Sequence, residues 1–387
     1  MSGSAGRIAG VALAGFATFI NLYTPQAILP AISADFAAGP AATSLAVTAT
    51  LLAVALAAPF VGAVSDALGR KRLITGACFI LTIPALLIAL SPNLPSVIAL
   101  RFAQGLLFPF IFTVTVGYVG DEFAGAAAVR ATGTYALGTI IGGFSGRLVA
   151  GIATELAGWR AGFVAVGGLT LLCAIAITLL LPRERNFRPV AAGWATWRMH
   201  FGNPALVGTC LIGAGMLFTI VATFTYANFR LAGAPYALTP GQQGWVFAVY
   251  MLGTVTSPIG SRLTLRFGRR AALFACVALG ASGALLTLNT ALPWIITGLA
   301  LLCGGMLVVQ TLSLGYIAAR IPVAKSTAVG MYVTTYYVGG ALGGIVPAPL
   351  WRAFGWPGIV AVVVLVAFSI ALVAAQAWKN EAAFTRG

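Results

Sequence analysis

Gly62-Ala63-Val64-Ser65-Asp66-Ala67-Leu68-Gly69-Arg70-Lys71-Arg72 lies between two long apolar runs. A degraded copy, Gly260-Ser261-Arg262-Leu263-Thr264-Leu265-Arg266-Phe267-Gly268-Arg269-Arg270, returns in the second half of the chain. Each copy reads as a basic, glycine-bearing hinge between two spans. Gly62 and Gly69 are expected to allow close backbone approach and a tight turn. Asp66 is the one acid among three cations and can accept hydrogen bonds from them or face the positive end of a neighbouring helix. Leu265 stands where that acid stood, so a lock built on the motif should be asymmetric, with Arg269 the cation of the second copy.

Sixty per cent of the 387 residues are hydrophobic, 7% are charged and the mean hydropathy is +1.00. An ordinary soluble domain has about 25% charged residues. Apolar runs recur along the whole chain, each long enough to cross roughly 30 Å of hydrocarbon as a helix. They are too uniformly apolar for barrel strands, which alternate with period two. Because a bilayer offers no water to backbone amides, spans of this kind must be helices. The first run does not read as a cleaved signal: Asn21, Tyr23, Pro25 and Gln26 interrupt it, and no small-residue cleavage site follows. Cys78, Cys173, Cys210, Cys276 and Cys303 fall inside apolar runs without C-x-x-C spacing and read as small core residues. No metal and no cofactor is expected.

Twelve spans are predicted, over 8–30, 43–64, 73–91, 96–119, 129–153, 161–181, 205–229, 243–260, 271–289, 293–318, 326–350 and 357–377. The polar stretch Pro182 to Asn203 divides them six and six. This gives an N-terminal bundle over 1–181, a linker over 182–204 and a C-terminal bundle over 205–387. With the N-terminus on one side, that side collects all but five of the 22 Lys and Arg residues. Arg160, Arg230 and Arg352 lie on the other side, and Arg101 and Arg147 lie within spans. Short loops rich in Lys and Arg mark the cytoplasmic side, so both termini are expected in the cytoplasm of a bacterial-type inner membrane. The net charge of +15 is then topology, not nucleic-acid binding.

The halves repeat. Gly133, Tyr135, Gly142, Gly143, Gly146, Gly158 and Trp159 match Gly330, Tyr332, Gly339, Gly340, Gly343, Gly355 and Trp356 without a gap. An even number of spans between copies makes them parallel repeats, an arrangement that suits two bundles rocking around a site at their interface.

Twelve spans in this arrangement, joined after the second by G-x-x-x-D-x-x-G-R-K-R, resemble the major facilitator superfamily, with Ala67 in place of the usual arginine. Arg101-Phe102-Ala103-Gln104-Gly105 resembles the R-x-x-Q-G motif of the drug-antiporter branch. Gly138 to Arg147 resembles the span-five antiporter motif, with Arg147 where that motif has proline. Asn21 to Pro30 and Gly142 to Arg147 are most similar to YnfM-like efflux permeases, and the resemblance covers nearly the whole chain. It implies an all-α integral membrane protein with 12 transmembrane helices in two pseudo-symmetric six-helix bundles, the major facilitator fold. It also implies secondary transport by alternating access and export of a small organic solute. Contacts of the signature loop would lock the cytoplasmic gate in the outward-open state. Asp121 and Glu122, on the same side, are the expected partners of Arg70.

Arg101 and Arg147 are charges inside spans, each roughly 8–9 Å from its outer end at about 1.5 Å per residue. Such a charge must face a cavity, find a partner or snorkel, and no span has an acid near its middle. Two readings stay open. The arginines are cations on a cavity wall that attract an anionic or strongly polar substrate, or they snorkel outward or bond helix-end carbonyls. Gln104 belongs to the first motif. Pro25 leaves a carbonyl free in span one beside Asn21, Tyr23 and Gln26, whose amides serve equally as ligands or as glue between helices. Tyr226 and Asn228 in span seven, Tyr250, Gln310, Tyr332 and Tyr336 add polar tips, either lining an amphipathic cavity or packing. The spacing of Gly138, Gly142 and Gly146, repeated by Gly339 and Gly343, lays down a stripe for close helix packing.

The chain has no nucleotide-binding motif and no converging acid, base or metal ligands, which argues against an ATP-driven pump and against an enzyme. Span one offers Asn21 and Gln26 rather than an acid, and the single histidine, His200, lies in the linker, so a proton relay has little support. The reading is a monomeric transporter in a lipid bilayer with a small-molecule substrate. Carriage of an organic anion through Arg101 and Arg147, by uniport, exchange or symport, is the alternative. A transporter-like sensor is a third.

Overall fold

The computed structural model describes residues 2–185, 194–321 and 325–378; a few side chains within helices, that of Asp66 among them, lie outside the described set. Every regular element among the described residues is helical. Span one is α1 (Ser2–Leu22), a 3-10 turn over Thr24–Ile28 and α2 (Leu29–Asp35). Span two joins α3 (Pro40–Thr43), α4 (Leu45–Ala57) and α5 (Val61–Leu68). Spans three to six are α6 (Arg70–Ile88), α7 (Leu94–Glu122), α8 (Gly125–Ala157) and α9 (Trp159–Leu180). After α10 (Trp194–Phe201), span seven is α11 (Pro204–Ala232). Span eight is α12 (Pro240–Val246), a 3-10 segment over Phe247–Leu252 and α13 (Gly253–Phe267). Then come α14 (Arg269–Leu286), α15 (Leu292–Arg320), the pair α16 (Lys325–Ile345) and α17 (Ala348–Phe354) as span eleven, and α18 (Trp356–Ala377).

Among the described residues, ten of these spans are long and apolar enough to cross a membrane by length and composition. Spans eight and eleven fall short of that apolarity for visible reasons. Span eight is interrupted by its 3-10 segment and carries Arg262 and Arg266, and span eleven is rich in Gly, Thr and Tyr.

The predicted loop after span two is barely a loop. α5 runs to Leu68 and α6 starts at Arg70, so the turn is Gly69 alone, at φ 81° and ψ 154°. Gly268 repeats both angles between α13 and α14. A side chain is costly in that region of backbone space, which explains why the glycine survives in the degraded copy when the acid does not. Gly62 is a correction. It is exposed within α5, and a methyl group built on it would meet no atom within 4 Å, so it makes no close approach.

The chain divides into two compact units, Met1–Ala192 with Leu231–Phe247, and Gly193–Arg230 with Ala248–Gly387. The short helix α12 thus packs with the first unit although it lies in the second half of the sequence. In the first unit, Gly138, Gly142 and Gly146 of α8 press onto the backbone of Ala12, Phe16 and Ile20 in α1. In the second, Gly339 and Gly343 of α16 press onto Ala214 and Phe218 of α11. A methyl on Gly142 would stand 2.6 Å from the Phe16 carbonyl oxygen, and one on Gly343 2.6 Å from that of Phe218. The same stripe therefore docks the fifth span of each half on its first. In lipid, where burial gives helices little driving force, such backbone contact carries much of the association.

Gly142→Val should therefore lower the thermal unfolding midpoint in detergent, an overpacking cost of about 1–3 kcal/mol. Gly133→Ala, on the same helix but facing open space, should leave it unchanged or raise it. Equal behaviour of the two variants would contradict the docking role of the stripe.

Candidate functional site

Pro25 has no N–H, so the Asn21 carbonyl loses its helical partner. The chain then tightens into a 3-10 turn in which the Gln26 N–H donates to Tyr23 instead, at 3.0 Å, leaving the Leu22 carbonyl without it. Arg101 takes both carbonyls, donating from Nη1 to Asn21 at 2.9 Å and from Nη2 to Leu22 at 2.6 Å. It also donates to Gln104 Oε1 at 2.6 Å and to the Ala46 carbonyl at 3.3 Å. Its exposure is 0%, so it does not snorkel: it caps the broken end of span one. Gly105 completes the motif by letting α7 approach the Thr50 carbonyl of α4, and Thr50 Oγ1 donates to the Arg101 carbonyl at 3.2 Å. Asn21 donates to Ala17 O at 2.9 Å and to Thr170 Oγ1 at 2.7 Å, tying α1 to α9.

Arg147 is 1% exposed and belongs to the same interior. Its Nε and Nη2 donate to Gln26 Oε1 at 3.0 and 2.7 Å, and Nη1 donates to Gly143 O at 2.6 Å. The guanidinium lies 4.6 Å from the Tyr23 ring centroid and 4.5 Å from that of Phe247. Gln26 Nε2 is buried and has no partner among the described residues. The first unit therefore brings Asn21, Tyr23, Gln26, Arg101, Gln104 and Arg147 together, with Phe247 as a member that the sequence did not single out.

Phe247 reaches Arg147 because α12 docks on α8. Gly151 lies against the Pro240 carbonyl, and a methyl on Gly244 would stand 3.0 Å from the Arg147 carbonyl oxygen. The rings of Phe144 and Trp245 pack at 5.8 Å. Glu155 Oε2 accepts from Thr239 Oγ1 at 2.9 Å and from the Gly241 N–H at 3.1 Å, closing the first turn of α12.

In the second unit the candidates separate. Tyr226 donates to Gly344 O at 3.0 Å and packs on Trp351, Asn228 donates to Phe224 O in its own helix, and Tyr250 packs on Phe224. Tyr332 is buried with Leu206, Cys210 and Met331. Gln310 Nε2 donates to Tyr336 Oη at 3.1 Å, and both residues remain half-buried.

The hinge end is a charged network. Arg70 pairs with Asp121. Glu122 instead pairs with Arg7 at 3.1 Å and accepts from the Arg185 N–H at 2.6 Å. Glu184, which the sequence reading passed over, accepts from the backbone N–H groups of Arg70 and Lys71 at 2.9 and 3.2 Å and so caps α6. Its only sequence signal is an acid set among arginines. The role assigned to Asp66 rests on a side chain outside the described residues. Arg269 in the second hinge lies 5.6 Å from the Tyr316 ring, and the described residues of that unit contain no acid.

Arg101→Gln should lower the unfolding midpoint without any substrate present, since a buried carbonyl left without a donor costs about 1–3 kcal/mol. A variant as stable as the wild type would contradict the capping role. Glu155→Ala should speed deuterium uptake at Gly241–Val246 while leaving α9 unchanged, and unaltered uptake would show that α12 is held by other contacts.

A Major Facilitator Superfamily model matches residues 11–237 and again 231–383. The inner membrane transport protein YnfM of Escherichia coli is 29% identical over 356 residues, 91% of this chain and 85% of that protein. The uncharacterized MFS-type transporter YybF of Bacillus subtilis is 28% identical over 354 residues, 90% of this chain and 88% of that one. A bacterial homologue of the human lysosomal transporter Spinster aligns at TM-score 0.81 over 98% of both chains with 13% identity. The nucleoside transporter NupG aligns at 0.78 over 96% of this chain and 99% of its own, with 14% identity. With the six-plus-six helices, the hinge glycines and the family match in agreement, this chain belongs to the Major Facilitator Superfamily, a multi-pass membrane protein whose relatives are transporters.

Proposed function

We propose that the chain is a secondary active transporter of the inner membrane that works by alternating access and exports a small organic solute, with both termini in the cytoplasm. The observation that carries the substrate reading is Gln26. Its carbonyl oxygen serves Arg147 twice, while its buried Nε2 has no acceptor among the described residues. A buried donor in that state is unfavourable, and a solute oxygen would satisfy it. The Tyr23 and Phe247 rings that flank the Arg147 guanidinium suit the apolar body of the same solute. Asn21, Arg101 and Gln104 hold the frame. Within the second unit Gln310, Tyr336 and Tyr250 stay candidates, while Tyr226, Asn228 and Tyr332 pack. Asp66, Gly69, Arg70, Asp121, Glu122 and Arg269 act in the gate.

The described acids sit at helix ends, as Asp35, Asp121, Glu122, Glu155 and Glu184 show. Coupling through a counter-substrate or a titrating substrate therefore fits better than a carboxylate relay within the spans. The organic-anion reading keeps one specific support: the acceptors that surround Arg101 are carbonyl and amide oxygens, which leave its guanidinium charge uncancelled.

Counterflow in proteoliposomes with a panel of anions, polyols and lipophilic cations tests both readings. Solutes rich in oxygen acceptors should exchange and lipophilic cations should not. Gln26→Glu keeps an oxygen for Arg147 and removes the spare donor, so it should stay folded and lose about tenfold or more in apparent affinity, the worth of about 1.4 kcal/mol. Unchanged exchange by that variant would remove Gln26 from the site.

A further inference from the structure

We infer that the first unit holds one anionic phospholipid of the surrounding bilayer, its acyl chain lying between α5, α6 and α7 and its phosphate at Arg72. A cavity of about 230 Å³ opens there, bounded by Leu68, Arg72, Gly76, Ile80, Leu107 and Phe110. Arg72 is the one charged residue in an otherwise apolar lining. Leu68 and Ile80 are 54% and 53% exposed, so the cavity opens on the outer surface of the bundle, which acyl chains cover in a bilayer. Gly76 leaves the slot open: a methyl built on it meets no atom within 4 Å. From Arg72 to Ile80 the slot follows α6 for roughly 12 Å at about 1.5 Å per residue, the shape of a single extended chain rather than of a helix from a second copy.

The polar end selects the headgroup. Arg72 is exposed in the first turn of α6, and it forms no ion pair among the described residues. Among the acids whose side chains are described at this hinge, Asp121 is engaged with Arg70 and Glu184 with the first amides of α6. Lys71 adds a second cation at the same membrane surface. Basic side chains just outside a span attract anionic lipid. The groove is not a requirement of the hinge: in register with Gly69 and Gly268, Ala271 and Ala275 stand in the second unit where Arg72 and Gly76 stand in the first.

Native mass spectrometry of the purified full chain, titrated with phosphatidylglycerol and with phosphatidylcholine of matched chains, tests the assignment. The wild type should bind the anionic lipid about fivefold more tightly, the worth of one basic side chain at a membrane surface. Arg72→Gln should bring that ratio close to one while phosphatidylcholine still binds. Gly76→Trp, or Leu107→Trp if the first does not fold, should remove the tight site for both lipids. No headgroup preference in the wild type, or a preference unchanged in Arg72→Gln, would overturn the proposal. So would a dimer peak that disappears with the tryptophan variant, since it would give the groove to a second copy.

Discussion

Span one is broken in a place where water cannot repair it, and the pairing of Arg101 with the exposed carbonyls of Asn21 and Leu22 is what makes that break tolerable. A backbone acceptor in hydrocarbon without a donor costs several kcal/mol. The guanidinium meets two such acceptors at once because its donors form a rigid fork. The rest of the interior follows from that capped break. The 3-10 turn after it carries Tyr23 and Gln26 out of helical register, and from there they meet Arg147 from one side while Phe247 meets it from another. Arg101 is thus a positioning residue in the first unit, and Gln26 is where the positioned chain still has a donor to offer.

The second unit faces a similar break and resolves it without a charge. Span eleven is interrupted at Pro347, and the hydroxyl of Tyr226 donates to the Gly344 carbonyl. A neutral phenol does there what a cation does in the first unit. The glycine stripes and the hinge geometry repeat almost angle for angle, yet the polar chemistry inserted into the two halves has diverged. Duplication preserved the contacts that govern how helices dock and left the side chains facing the interior free to change.

The parts legible in the sequence are those encoded by local backbone demands. Gly69 and Gly268 had to be glycine because φ is positive, and the i, i+4 spacing of Gly138, Gly142 and Gly146 names a helix face before its partner is known. The Arg70–Asp121 pair was within reach because both residues flank the same end of neighbouring spans. Long-range partners were not legible. Leu22 lies 79 positions from Arg101, and Glu155 lies 86 from Gly241, so nothing in local composition connects them. Glu184 and Phe247 were missed for the same reason; that Arg101 bonds helix-end carbonyls was among the open readings, but which carbonyls could not be named because every residue possesses one.

Arg147 shows where this logic leads. It stands where the related span-five motif has proline, a substitution that adds a charge to the middle of a packed helix. A charge within a span is costly unless it is partnered, and nothing in the docking of α8 on α1 requires one. Its surroundings are nevertheless arranged around the charge: three short hydrogen bonds to neutral oxygens and two aromatic faces within 5 Å. An arginine present only to fill space would not need its acceptor, Gln26, to be buried with the other half of its amide unsatisfied. Local rules broken with this much support around them concentrate at working sites. The solute contact proposed for the Gln26–Arg147 pair would account for that break, which the docking of α8 on α1 does not.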